Sequence, residues 1–457
     1  MKKVFLTSAA LMAFAAASFA QTNTATTEQN GTRQTAKQVQ TGNYLKSTVS
    51  QNQTTGTNVG NFAATRQEST GSAGNDAAVR QDVGSRGNRG YVTQVGGTGN
   101  LSSITQSNGS GGGSLQVTEG ASSSEVRAAG GNWGGIYQQG SNNKDVSINQ
   151  SNNSSKNFGE ITQYASGTRP TSIEQSTGSV NNEARINQGT AERAATNVAA
   201  RIQQSGNSRE NKGTITQANE GSVAGIYQNN TSSGNEATID QIDNARFETA
   251  NIFQNDNASK NKASVIQSGF GDVATVYQTD NSVGNVATIE QTGFGSDRAQ
   301  INQQYNATNN QATVQQQGSY NDAQINQYNV ANSQATIKQD LASTAGFGNI
   351  AQINQGEQGG TQSKNNTASI TQSFSENQAR LLQVGTGNMA TLTQTGDGNL
   401  IQSIDGKAGS FATQRGNDNM LTVMQDSGSS APYVKNVANV SQLGNGNTAT
   451  IMQTGRN

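Results

Sequence analysis

The stretch Val283–Gly295, VGNVATIEQTGFG, sets Asn285, Ala287, Ile289 and Gln291 on a period of two, with Gly293 two residues after the Gln. Strict alternation over seven residues is the pattern of a strand with one face turned inward. The residues after it, rich in Gly, Asn, Asp and Ser, are turn formers. A helix does not fit, because the period is wrong and Gly is too frequent.

The same string returns along the chain as Asn-x-[Ala/Gly/Ser]-x-[Ile/Val/Leu]-x-Gln. It is plain at Asn235-Ala237-Ile239-Gln241, Asn310-Ala312-Val314-Gln316, Asn366-Ala368-Ile370-Gln372 and Asn388-Ala390-Leu392-Gln394. It starts in degenerate form at Asn23-Ala25-Thr27-Gln29 and ends at Asn447-Ala449-Ile451-Gln453. Successive terminal glutamines run Gln267, Gln278, Gln291, Gln303, Gln316, Gln327, Gln339, mostly 11 to 13 residues apart. Longer gaps at 341–349, 356–365 and 426–437 read as loop insertions. The repeat blurs at 107–135 and at 395–413, where its register is ambiguous.

Roughly 33 to 35 such arms predict an all-β, two-sheet β-solenoid. Two arms make a coil, and about 17 coils stacked about 4.8 Å apart would make a rod of about 80 Å. Ala and Ile together fill the slot of about 10 Å between facing sheets. Inward Asn and Gln left unpaired would cost about 1–3 kcal/mol per buried group. Stacked on identical residues they bond to one another, amide N–H to amide C=O, which requires the string to recur. Outward positions vary freely, as in Thr238, Asp240, Tyr277, Glu290, Lys338 and Met424.

Composition alone suggests a disordered Gln/Asn-rich chain: 31% hydrophobic, 5% aromatic, 53 Gly and 2 Pro in 457 residues. Disorder predicts no periodicity, so the repeat overrides that reading. A net charge of -1 gives no basic stripe for nucleic acid, and it leaves copies of the chain to repel only weakly. The sequence has no Cys and no His, which excludes disulfides, thiolate nucleophiles, His bases and Zn sites built on these residues. No catalytic, metal or cofactor-binding residues are predicted.

Lys2 and Lys3, the apolar run Val4 to Ala17 and the small residues Ser18 and Ala20 form a secretory signal peptide, residues 1–20. No later stretch is apolar enough to cross a membrane. The solenoid then occupies 21–457, exported and without membrane insertion. No capping element is evident at either end, and uncapped, like-faced ends add head to tail into open fibres.

Other chemistries fit less well. A calcium β-roll needs serial Gly-Gly-x-Gly-x-Asp repeats, and GGTGN at 96–100 is the one near match. GSGGGS at 109–114 lacks the Gly-Lys-Ser/Thr of a phosphate loop. An enzyme on this scaffold would be sought only at the break containing Glu119, Glu125, Arg127 and Trp133. Tyr137, Tyr227 and Tyr277 share the outward slot before the Gln and read as isolated surface aromatics rather than an adhesive stripe. The alternative function is a monomeric surface adhesin or ice-binding solenoid. That role needs a flat outward Thr array, which Arg185, Arg201 and Arg380 interrupt.

The string Gln-x-Gly-x-x-Asn-x-Ala-x-x-x-Gln resembles the curlin repeat of bacterial curli. It occurs as QVGTGNMATLTQ (383–394), QLGNGNTATIMQ (442–453) and QQGSYNDAQINQ (316–327), and with the Ala replaced as QRGNDNMLTVMQ (414–425). Two features depart from familiar curlins. This chain has several times more repeats, and they begin almost at Gln21, without a non-repeat targeting segment. The resemblance implies a secreted, non-enzymatic subunit that self-assembles into functional amyloid fibres of the biofilm matrix at the cell surface, for adhesion. It also implies a nucleator subunit, an outer-membrane secretion channel and a periplasmic chaperone as partners. The clean terminal repeat, with Asn447, Ala449, Ile451 and Gln453 as the self-assembly end, favours the major fibre subunit.

Overall fold

The computed structural model describes residues 22–455, apart from 32, 53–59, 70–73, 83–86, 108–130, 219, 243–245, 341–347, 408 and 429–434. The leader at 1–20, the GSGGGS stretch and the break residues Glu119, Glu125 and Arg127 lie outside the described residues, as do 341–347 and 429–434 of the insertions at 341–349 and 426–437. Among the described residues no helix is long and apolar enough to cross a membrane.

Arms alternate between two all-parallel sheets. Val286–Gln291 shows the rule. It pairs with Lys262–Gln267 on one side and Gln311–Gln317 on the other, each a full coil away. The register is strict: Ala263, Ala287 and Ala312 align, then Val265, Ile289 and Val314, then Gln267, Gln291 and Gln316. The intervening arms Val273–Gln278 and Arg298–Gln304 pair with each other in the facing sheet. The inward residues of both sheets form one continuous buried core of Ala, Ile, Val and Leu.

Gly213 stands in the Ala column and shows what that column faces. A methyl group there would lie 3.1 Å from Ile202 and 3.4 Å from Ile226 of the opposite sheet. Small therefore packs against branched across the slot. A second large residue would overpack it.

Corners are made by left-handed residues. Asp280 (φ 57°) and Asn281 (φ 62°) turn the chain out of one sheet, and Gly284 (φ 65°) turns it into the next. Asn and Gly tolerate this region better than other residues, which is why they crowd the segments between arms. The corner above Gly284 is Asn309 (φ 52°).

Insertions leave the stack intact. Gln94 bonds to Gln138, 44 residues on, and Arg89–Val95 still pairs with Trp133–Gln139 in register. The ambiguous stretch 395–413 resolves into one interrupted arm of the first sheet. Leu400–Gln402 pairs with Gln378 and Ala379, and Ala412–Arg415 pairs with Leu381 to Val384. Val437–Asn439 and Ser441–Leu443 repeat this split one coil later.

Outward columns also stack in register, so like charges would meet every coil. Lys212, Glu236 and Lys262 alternate in sign instead, with ion pairs at 3.7 and 3.5 Å. Such exposed pairs stabilise little, and their main effect is to avoid repulsion.

The reading of isolated surface tyrosines is corrected. Tyr227, Phe253 and Tyr277 form a continuous stack, with centroids 4.9 Å apart and planes within 7°. Tyr137 lies on the other sheet, tilted against Tyr164 at 5.5 Å, and Trp133 stacks on Phe158 at 4.7 Å. Register brings successive aromatics of one column into contact, as in Tyr227, Phe253 and Tyr277, whereas Tyr164 stands two positions past Thr162, the residue in register with Tyr137.

Candidate functional site

The candidate site is the face that each coil presents to the next. Its most regular feature is a glutamine ladder in each sheet. In the second sheet, every Gln from Gln40 to Gln425 donates its side-chain N–H to the Gln one coil later, at 2.6–3.0 Å, ending on Gln453. The first sheet repeats this from Gln29 to Gln442 at 2.7–2.9 Å. Among the described residues each ladder joins sixteen glutamines, so sixteen levels stack over about 70 Å, one level fewer than the coils expected from the sequence.

The second amide hydrogen has its own partner. Gln278 Nε2 also donates to Lys262 O at 3.0 Å and to Asn285 O at 3.1 Å, at the start of the facing arm. Those carbonyls only accept, so they hold the nitrogen on that side and fix the direction of the whole ladder. One Gln thus ties a coil to its neighbour and closes the corner of its own coil.

The asparagine column works differently from the amide-to-amide ladder expected. Asn285 Oδ1 accepts the backbone N–H of Asn310 at 2.9 Å, and Asn285 N donates to Asn261 Oδ1 at 2.8 Å. Asn285 Nδ2 turns into the corner and donates to Ala307 O at 2.9 Å. Asn235 does the same, with Oδ1 on Asn261 N at 3.0 Å and Nδ2 on Ala258 O at 2.9 Å. Amide-to-amide bonds join this pattern at some positions, as in Asn419 to Asn388 at 2.9 Å. The difference arises because Asn sits where the backbone bends, so its short side chain meets peptide groups first.

The two columns point in opposite directions. Gln Nε2 donates toward the C-terminal end of the stack. The backbone N–H at the Asn position donates toward the N-terminal end, to the Asn Oδ1 of the preceding coil, while Asn Nδ2 donates to a corner carbonyl of the following one. Every coil therefore offers Gln N–H and Asn C=O on one face, and the matching acceptors and donors on the other.

Asn235, Ala237, Ile239 and Gln241, Asn285, Ala287, Ile289 and Gln291, and Asn388, Ala390, Leu392 and Gln394 are all buried, each set on one inward face. Asn447, Ala449, Ile451 and Gln453 are half-buried. Their arm, Thr448–Thr454, pairs among the described residues only with Met420–Asp426. Gln453 Oε1 accepts from Gln425 at 2.7 Å, and Asn447 N donates to Asn419 Oδ1 at 3.0 Å.

Sequence reasoning missed three acidic residues, Glu248, Asp272 and Asp297, which occupy the asparagine column on successive coils of the first sheet. The signal was present: each stands two residues before an inward Ala, at Ala250, Ala274 and Ala299. Among the described residues no group of acidic side chains is arranged to hold a metal ion.

No curated protein matches the chain. Residues 364–396, which include the arms Thr367–Ser373, Gln378–Val384 and Met389–Thr395, match the family model of the curlin associated repeat, and with the glutamine and asparagine columns above and below them they make the chain a curlin-like repeat protein on a β-solenoid.

Proposed function

We propose that the chain is a secreted structural subunit that stacks copies end to end into a curli-like amyloid fibre at the cell surface. The observation that carries this reading is the complementarity of the two coil faces. What one face donates the other accepts, in every coil, so a second copy continues the same ladders without new chemistry. From Gln21 onward, without Lys2 and Lys3, the chain carries 27 basic and 30 acidic residues, and this net charge of -3 leaves little repulsion to oppose the contact. The repeat resemblance adds the biological setting: a matrix-building, adhesive and non-catalytic role outside the cell. It also supplies the partners, which are a nucleating subunit, an export channel and a chaperone.

The test is to dilute the chain from Gln21 onward out of denaturant and follow it by electron microscopy and circular dichroism. Unbranched fibres of single-molecule width, appearing with a gain of β signal, are expected. A β-rich species that stays monomeric would overturn the fibre reading and favour a capped adhesin or ice-binding solenoid.

A further inference from the structure

The asparagine column of the first sheet runs Ser222, Glu248, Asp272, Asp297, Asn321, Asn349, Asn377 on successive coils, each accepting the first backbone N–H of the preceding arm. The three acids are 0% exposed. In Asp272 and Asp297 one carboxyl oxygen does what Asn Oδ1 does and takes the N–H of the next column residue, whereas Glu248, one methylene longer, takes an N–H of the corner instead. Glu248 Oε1 accepts Gly269 N at 2.8 Å, Asp272 Oδ1 accepts Asp297 N at 2.9 Å, and Asp297 Oδ1 accepts Asn321 N at 2.8 Å.

In the two aspartates the other oxygen takes the place of the Asn amide nitrogen. Asn349 Nδ2 donates to Phe374 O at 2.7 Å, and Asn377 Nδ2 donates to Gly396 O at 2.8 Å. Glu248 Oε2, Asp272 Oδ2 and Asp297 Oδ2 are buried without a hydrogen-bond partner. Around Asp272 the reason is visible. A methyl group on Gly269 would meet both Asp272 Oδ2, at 2.4 Å, and the carbonyl oxygen of Gly293, at 2.1 Å. Two acceptors border the same small space, and a proton on Asp272 would turn one of them into a donor. A protonated Asp carboxyl has the shape of the Asn amide it replaces and supplies one donor where the amide has two.

No neighbouring cation supplies the missing charge. The corner carries Arg193 and Arg246, with Glu220 in the turn stacked on Arg246 and Arg298 opening the next arm. Among the described residues none of them makes an ion pair or hydrogen bond with the three carboxyls. The adjacent residues of the second sheet are the neutral Gln241, Gln267 and Gln291 of the ladder.

We propose that Glu248, Asp272 and Asp297 are a proton-binding segment of the asparagine column, which keeps three successive coils tight in acid and loosens them when the carboxyls ionise. Burial raises all three carboxyls. Glu248 rises to about 9, with the Asp272 charge adding to the effect, Asp272 to about 7 with the Asp297 charge adding, and Asp297 to about 6. The bonds from Gly269, Asp297 and Asn321 pull the other way and do not win. All three values lie above the ordinary carboxylate range near 4. The folded coils therefore bind more protons than the unfolded chain. Their contribution is best in acid and falls as pH rises from about 4 through the three folded values.

The test uses the full folded chain and its Glu248→Gln/Asp272→Asn/Asp297→Asn variant, which carries amides in the three acidic positions. Infrared spectra in heavy water near neutral pH should show protonated carboxyl absorption in the wild type and none in the variant. Hydrogen exchange of residues 246–298, corrected for its intrinsic pH dependence, should quicken at least tenfold in the wild type between about pH 5 and about pH 9, and stay level in the variant. Absence of the protonated band in the wild type near neutrality, or pH-independent exchange there, would overturn the proposal. The infrared result on the wild type decides the matter even if the variant does not fold.

Discussion

Gln291 Nε2 donates to Gln316 Oε1 at 2.9 Å, and Gln291 Oε1 accepts from Gln267 Nε2 at the same distance, so one amide joins three coils. Deleting it orphans a donor below and an acceptor above. Gln291→Ala is expected to weaken the local stack by about 2–5 kcal/mol, from two buried unsatisfied groups and the cavity. In a solenoid each coil contacts only its neighbours, so the loss stays local. Hydrogen exchange should quicken in Lys262–Gln267 and Gln311–Gln317 while Lys46–Asn52 is unchanged. Equal protection in all three arms would mean that the ladder contributes nothing.

Ile289 and Glu290 are adjacent, yet they face opposite ways. Ile289 is buried in the core, whereas Glu290 Oε2 meets Gln315 Nε2 at 3.1 Å on the outer face. Ile289→Lys places an unpaired charge in the slot and is expected to unfold at least the coil that holds it. Glu290→Gln should change stability by less than about 0.5 kcal/mol. The pair is read by circular dichroism and fibre yield. A native-like Ile289→Lys chain, or a crippled Glu290→Gln chain, would contradict the inward and outward assignment.

The periodicity made the inward faces legible, because a period of two admits one buried side and the identical spacing of Ala287, Ile289 and Gln291 in other arms forces register. The manner of Asn bonding was not legible. Asn285 and Gln291 look alike as amides in the sequence, but Asn285 Oδ1 takes the backbone N–H of Asn310 at 2.9 Å as well as the Asn310 amide at 3.1 Å, and its Nδ2 turns to Ala307 O. Asn285 sits at a bend, against peptide groups. The stack of Tyr227, Phe253 and Tyr277 was missed for a related reason. Grouping tyrosines by type hid Phe253, while the coil spacing puts all three rings in one column. Glu248, Asp272 and Asp297 were overlooked as column members because surface exposure is the usual expectation for acids.

Gly97 has φ 65°, and a methyl group there would lie 1.8 Å from the backbone carbonyl oxygen of Gly140. Gly97→Ala therefore carries both the left-handed backbone cost of about 1–2 kcal/mol and a clash with main chain that cannot rotate away. Gly167 also has φ 65°, but nothing lies within 4 Å of an added methyl. Gly167→Ala should carry the backbone cost alone. The two substitutions, compared by local hydrogen exchange, separate the terms. The corner geometry is wrong if Gly97→Ala is as mild as Gly167→Ala.

Asn447 and Gln453 belong to an arm that, among the described residues, stacks on one side only, and both already bond backward, to Asn419 and Gln425. In the fibre reading their forward-facing groups, Asn447 Oδ1 and the second N–H of Gln453, meet the first coil of the next copy. Asn447→Ala with Gln453→Ala removes both at once. The fold of the chain should survive, since interior coils hold themselves, but elongation should slow by about tenfold or more for a loss of about 1–3 kcal/mol at the joint. Seeded growth monitored by fluorescence or turbidity separates the two effects, because seeds of wild-type fibre supply an intact end. Wild-type elongation by the double variant, with a normal β spectrum, would show that copies do not join through this face.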